Sequence, residues 1–178
     1  GGGMMERDNR NFIKDIDSMG MAKSGFDVYK FLYSCIPMFK NIQSFNGIFF
    51  LSLKQLHYYI QFAIENKLQY GLTYWHKSDP APLCNNKYLN DVEMCIYIKG
   101  KNVRIMGNYS TKSLVYKSST NRKDKTLYHH PTIKPVQLIE KYLINHSNKC
   151  DVILDPFMGS GSTGIACVNL NRSFIGIE

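Results

Sequence analysis

A chain of 178 residues with 44% hydrophobic and 13% aromatic side chains can fill one core of ordinary domain size, so its composition excludes a disordered polymer. The formal net charge of +8 favours a polyanionic partner, nucleic acid or anionic membrane. The longest apolar run, residues 47–53, is far too short to span a bilayer, and no charged-then-apolar leader opens the chain, so no membrane role is expected and the cytoplasm is the simplest location.

The glycine-rich, then charged start (1–10) reads as loop. Over residues 27–39 the apolar positions Val28, Phe31, Leu32, Cys35, Ile36 and Phe39 recur at helical spacing, with Asp27 as N-cap and Pro37 kinking the helix or ending it late. Residues 47–53 follow Asn46-Gly47 and look like a buried parallel strand. Helical periodicity returns over 54–66 through Leu56, Tyr59, Ile60, Ala63 and Ile64. Residues 70–75 and 92–98 read as strands, separated by a stretch (77–87) with turn chemistry throughout. From 100 to 128 the chain is polar and basic with no sustained period. A short helix (136–144) precedes a final unit of strand (152–154), glycine-rich turn, helix (162–170) and strand (173–177). Strands alternating with helices predict an α/β fold with a mainly parallel sheet. The five cysteines form no CxxC pair and the five histidines no HExxH, so no metal site is expected, and the thiols read as reduced, mostly buried small apolar residues.

The final unit carries chemistry. In Asp155-Pro-Phe-Met-Gly-Ser-Gly-Ser-Thr-Gly164, Gly159 and Gly161 allow a tight turn and close approach of a ligand to the backbone. Ser162 and Thr163 then open a helix whose free N–H groups can receive an anionic group. Asp155 stands at the carboxyl end of a strand, where open α/β sheets bind ligands. Glu178, ending the next strand, can accept both hydroxyls of a ribose. The spacing of Gly159, Gly161 and Gly164 alone also suits a dinucleotide-binding protein, or a turn that serves only packing.

The same segment resembles the S-adenosylmethionine motif of bacterial and phage N6-adenine or N4-cytosine DNA methyltransferases. Upstream, His130-Pro-Thr-Ile-Lys-Pro135 resembles the His-Pro-Thr-x-Lys-Pro element that precedes the motif in the circularly permuted group, and a nicotinamide enzyme is not expected to carry it. The resemblance implies a Rossmann-like, circularly permuted methyltransferase sheet over 1–178, present in part, with S-adenosylmethionine as cofactor. It implicates Pro131, Thr132, Lys134 and Pro135 with Asp155, Phe157, Gly159, Ser160, Gly161, Ser162 and Thr163 around the cofactor, and Glu178 on its ribose. For His130 and the prolines, the plainer role is a rigid cap on the following helix.

Trp75-His-Lys-Ser-Asp-Pro-Ala-Pro82 resembles the family's Trp-x-Lys-x-x-Pro-x-Pro segment, and Tyr88-Leu-Asn-Asp-Val-Glu93 the residues after it; Asp17-Ser-Met-Gly20 and Gly47-Ile-Phe-Phe50 match weaker positions. A loop position for Trp75 and Lys77 implies contact with the target nucleotide, against a core role for Trp75. In the permuted group a target-recognition segment is inserted where this chain has 99–128. Lys101, Arg104, Lys112, Lys117, Arg122 and Lys123, with Lys99 and Lys125, crowd that stretch among Tyr109, Tyr116 and Tyr128. Double-stranded DNA is the partner this implies, through phosphate neutralisation and base contacts, the alternative being a solvated basic loop. A restriction-endonuclease partner and a homodimer are both left open.

The family holds the target amine with (Asp/Asn/Ser)-Pro-Pro-(Tyr/Phe/Trp), and no such tetrapeptide occurs in the 178 residues. Asp79-Pro-Ala-Pro82 lacks both the adjacent proline and the ring. The resemblance therefore leads us to expect the catalytic residues before Gly1, in a longer enzyme of which this is a fragment, with a gap in the sheet beside 152–154. A catalytically silent binding relative is the other outcome.

Overall fold

The computed structural model describes residues 27–82, 84–120 and 133–177. Asp17–Gly20, Arg122, Lys123, Lys125, Tyr128, His130, Pro131, Thr132 and Glu178 lie outside the described residues.

Asp27 caps α1 (Val28–Cys35): its carboxylate accepts the Lys30 N–H at 2.9 Å. Val28 and Leu32, one turn apart, are buried on a single face. The helix stops at Cys35 because Pro37, with no N–H to donate, is tolerated only in the following 3-10 turn, Ile36–Met38. The remaining elements are β1 (Asn46–Leu51), α2 (Leu56–Glu65), β2 (Gln69–Lys77), β3 (Val92–Lys99), β4 (Val115–Ser118), α3 (Val136–His146), β5 (Val152–Asp155), α4 (Ser162–Asn169) and β6 (Ser173–Gly176). No described helix is long and apolar enough to cross a membrane.

The α/β class holds, but the sheet is not mainly parallel. The larger sheet has the order β1-β3-β2-β4, with β1 and β2 antiparallel to β3 and β4 parallel to β2. Thus β1, β2 and β4 point one way and β3 alone is reversed. The run at 47–53, expected to be a buried parallel strand, is instead half-buried and antiparallel to its neighbour. β5 and β6 pair in parallel as a separate two-stranded sheet.

Side-chain alternation shows why strands of both polarities look alike in sequence: both faces of the sheet are covered. Phe49 and Leu51 of β1, Leu72 of β2, and Ile96 and Ile98 of β3 point to α1 and α2, where Val28, Leu32, Phe45, Tyr59, Phe62 and Ala63 complete the core. On the other face Ile48, Phe50, Trp75, Cys95 and Tyr116 meet Leu138 and Tyr142 of α3. The far side of α3 packs Ile139 and Leu143 on Ala166 and Cys167 of α4, with Ile153 of β5 alongside.

α3 runs against β1 and β2. Lys134, just before its first turn, reaches Glu93 at the start of β3; Tyr142 bonds Thr73 at 2.7 Å; and the His146 carbonyl accepts from Asn46 Nδ2, at the start of β1, at 2.7 Å. Chain direction therefore defines two edges. At one lie the carboxyl ends of β1, β2 and β4 with Lys134, and β5, which turns back along α3, brings Asp155 to the same edge. At the other lie Asn46, Gln69 and the end of α3.

Candidate functional site

The glycine turn is built around one carboxylate. Asp155, the last residue of β5, accepts the Thr163 hydroxyl at 2.6 Å on Oδ2 and the Phe157 N–H at 3.1 Å on Oδ1. It thereby ties the strand end to both limbs of the turn. Backbone bonds stitch the turn to the end of β6: Met158 N–H to the Ile177 carbonyl and Ile177 N–H to the Asp155 carbonyl, both at 3.0 Å. Gly159 (φ +44°) and Gly161 (φ +74°) take the left-handed conformation that side chains resist.

Gly161 is the N-cap of α4, and a Cβ built there would meet nothing within 4 Å. Its conformation requires glycine, while the space before it is open. The first N–H groups of α4 have no acceptor within the helix, so this open space faces donors and the positive end of a helix dipole. The hydroxyls of Ser160 and Ser162 sit 3.0 Å apart behind it. Gly164 serves packing instead: a Cβ there would come within 3.0 Å of the Phe174 ring. Phe157 is half exposed and leans on Phe31 of α1, ring centres 5.4 Å apart. Among the residues read from sequence as a cofactor set, Asp155, Phe157, Gly159, Ser160, Gly161, Ser162 and Thr163 thus form one turn.

Lys134 and Pro135 stand on the same sheet edge. Pro135 is buried and caps α3, its carbonyl accepting the Leu138 and Ile139 N–H groups at 3.0 and 3.3 Å, which is the rigid-cap role. Lys134 Nζ lies 2.7 Å from Glu93 Oε2, and Lys77 Nζ lies 2.9 Å from Glu93 Oε1, so one carboxylate holds two ammonium groups. Aromatic faces surround them: Lys134 lies 5.2 Å from the Phe50 ring centre and 5.9 Å from that of Trp75, and Lys77 5.6 Å from Trp75. Burial works to raise the Glu93 pKa, but the two lysines, Lys134 foremost, outweigh it and hold the carboxyl below its usual range. In the sequence Glu93 stands only as the last residue of a segment that resembles the family. Its one visible signal is an acid two residues before Cys95, on the strand face that packs on α3.

Trp75 is not a loop residue offered to a nucleotide. It lies within β2, is 1% exposed, and donates from Nε1 to Ser118 Oγ at 2.9 Å, so its ring is core. Lys77 likewise ends β2 and is committed to Glu93, its side chain 13% exposed. Asp79, in the Pro-Ala-Pro segment, accepts both the backbone N–H and the hydroxyl of Thr120, clamping two loops together at this edge.

The basic stretch divides between the two edges. Gly100 and Asn102 donate to Phe45 and Gln43, Met106 N–H donates to the Asn145 carbonyl, and Asn145 Nδ2 donates to the Thr111 carbonyl at 2.7 Å. Lys101, Arg104 and Lys112 are exposed; Lys101 and Arg104 lie by the end of α3, while Lys112, between Thr111 on Asn145 and Ser113 on Lys141, lies further back along that helix. The nine residues of β2 separate the edges by about 25 Å. The chain then climbs back through β4, which the sequence did not reveal; Lys117 is exposed there, while Tyr116 and Ser118 face inward. Of the described basic residues in the stretch, Lys117 approaches the turn's edge, and Lys99 is held by Gln69 and the Val103 carbonyl.

Comparison with known proteins places this geometry. A DNA methylase family model (N6_N4_Mtase) matches residues 11–178. The type II methyltransferase M2.DpnII of Streptococcus pneumoniae is 30% identical over 168 residues, covering 84% of this chain and 62% of that protein. M2.MboI of Moraxella bovis is 29% identical over 167 residues, 85% of this chain and 61% of that protein. The chain thus spans about three-fifths of the length of these curated relatives. The crystal structure of M1.HpyAVI in complex with SAM matches with a TM-score of 0.69 and 31% identity over 87% of this chain and 77% of that one. PvuII DNA methyltransferase (cytosine-N4-specific) shares the fold, with a TM-score of 0.57 at 16% identity over 71% of this chain and 52% of that one.

Proposed function

The chain belongs to the N6/N4 DNA methylase family, and from that premise we propose that its glycine turn binds S-adenosylmethionine for methyl transfer to the exocyclic amine of adenine (N6) or cytosine (N4) in double-stranded DNA. The observation that carries this reading is the open space before Gly161, held by the Asp155–Thr163 clamp in front of the α4 N-terminus. An adenosyl cofactor fits there because backbone donors can meet it without side-chain obstruction. When bound, it supplies a sulfonium methyl, an electrophile that a neutral amine can attack.

The chain's own residues have separable tasks. Asp155 shapes the turn, and Phe157 with Phe31 gives it an apolar floor. Lys134, fixed at the same edge, offers a positive charge for the carboxylate end of the cofactor. Glu178, next to Ile177, would take the ribose by resemblance, as Pro131 and Thr132 would line the methionine end. Lys117, with Arg122 and Lys123 of the segment that follows, would meet DNA phosphates, while the target base leaves the stack to reach the methyl group. A bacterial or phage-infected cytoplasm, and a restriction endonuclease or second copy as partner, belong to the same proposal. The 178 residues contain no Pro-Pro-aromatic tetrapeptide, so for this chain alone the alternative is binding without transfer.

Calorimetric titration with S-adenosylmethionine and, separately, with NAD tests the assignment. Saturable binding of the first and none of the second is expected; binding of NAD alone would overturn it.

A further inference from the structure

Glu93 is an acid at the edge of a site meant for anions, in a chain of net charge +8. An isolated carboxylate there would repel both the cofactor's carboxylate and DNA phosphate. It is not isolated: each oxygen holds one ammonium, from Lys77 in β2 and Lys134 before α3, at 2.9 and 2.7 Å. The trio keeps one net positive charge, and each ammonium retains further N–H donors. The lysines reach Glu93 over the Phe50 and Trp75 rings, which confine their stems. Trp75 is the direct cross-strand partner of Glu93, and the Ser118 hydroxyl fixes the indole from β4. Four separate segments of chain therefore converge on one carboxylate.

We infer that Glu93 is a positioning residue: it holds the Lys134 ammonium at the cofactor edge, in the place where it receives the carboxylate of S-adenosylmethionine. A lysine side chain has four rotatable bonds, and left free it would carry its charge over a wide arc of solvent. Fixing it in advance removes that ordering cost from the binding step. Lys77, on the second oxygen, keeps Glu93 itself turned toward Lys134. The inference rests on the proposed cofactor role of the edge and adds to it a residue that makes no contact with the cofactor.

A double-mutant cycle on the full chain tests it, with S-adenosylmethionine affinity measured by calorimetry and the melting temperature recorded for every variant. Lys134→Met is expected to weaken binding tenfold or more, and Glu93→Gln by about five- to tenfold. The double variant should bind no worse than Lys134→Met, because Glu93 acts through that lysine. Glu93→Asp, which keeps the charge one methylene further back, should recover part of the loss, and it replaces Glu93→Gln should that variant fail to fold. A lowered melting temperature with unchanged affinity in Glu93→Gln, beside a weakened Lys134→Met, would overturn the role of Glu93 and leave the cofactor edge standing. Strictly additive losses would overturn it as well. Unchanged affinity in Lys134→Met would remove the cofactor role of the lysine together with the inference built on it.

Discussion

Gly161→Ala separates what the glycine turn does for folding from what it does for binding. At φ +74° an alanine costs about 1–2 kcal/mol of backbone strain, and the stiffer unfolded chain offsets part of that. Nothing lies within 4 Å of the new Cβ, so no packing loss is added. The net effect should be about 1 kcal/mol, which in a chain of this length lowers the melting temperature by roughly 2–4 °C. The methyl group projects into the space where backbone donors would meet the cofactor, so affinity for S-adenosylmethionine should fall at least tenfold by calorimetry. Gly164→Ala is the matched control. Its Cβ would press on the Phe174 ring at 3.0 Å, on the packed side of α4, so overpacking of about 1–3 kcal/mol should appear with little change in affinity. If affinity tracked melting temperature across both variants, the open space before Gly161 would not be the binding site.

His146 makes a pH prediction. Asn46 Nδ2 donates to the His146 carbonyl, which leaves Asn46 Oδ1 facing Nδ1 at 3.0 Å, so Nδ1 carries the proton of a neutral ring. Burial first, and then Lys99, depress its pKa from 6.5 to about 4. The unfolded chain therefore takes up the proton first: this stability is complete above pH 6.5, falls as pH drops toward 4, and amounts to about 3 kcal/mol at most. Urea titrations between pH 7.5 and 4.5 should show that loss flattened in His146→Gln, and an identical pH slope would refute the assignment. For DNA, Lys117→Ala should lower the slope of log affinity against log salt by about 0.9, whereas Lys101→Ala with Arg104→Ala, by the far edge, should leave it unchanged. The reverse result would move the DNA to the other end of the sheet.

Much of the glycine turn was legible because its constraints are local. Two glycines one residue apart after a strand, then two hydroxyl residues and a third glycine, allow few backbone paths, and Asp155 adopts the position its place at a strand end requires. Helix α1 was legible for the same reason, with Asp27 before it and Pro37 after it. What the sequence hid is long-range. Strand polarity leaves no trace when both faces are covered: β3 alternates Cys95 toward α3 with Ile96 and Ile98 toward α1 and α2, and would do so with either neighbour. β4 escaped notice because four residues, one of them Lys117, carry too little pattern. Its strand state comes from pairing with β2, beginning where Tyr74 N–H donates to the Leu114 carbonyl at 2.8 Å. Trp75 stands open in sequence between a core role and a loop contact because turn chemistry begins soon after it; β2 continues through Lys77 and carries the indole into the core.

The two-edge arrangement changes how the basic stretch can serve recognition. Its first part is not a loose arm. Asn145, itself 6% exposed, binds the 106–111 backbone at both its carbonyl and its side-chain amide, and buried Lys141 donates to the Ser113 carbonyl at 2.6 Å. These anchors belong to α3, whose opposite end carries Lys134. Lys141, which holds Ser113, stands only about 10 Å along the helix direction from Lys134, so Lys112 sits partway between the two edges, whereas Lys101, beside Gln43, lies at the far one. Residues 100–112 are thereby tied to α3 and lead the chain back to β4; under the proposed function, contact with the target would fall to the exposed basic residues of the stretch.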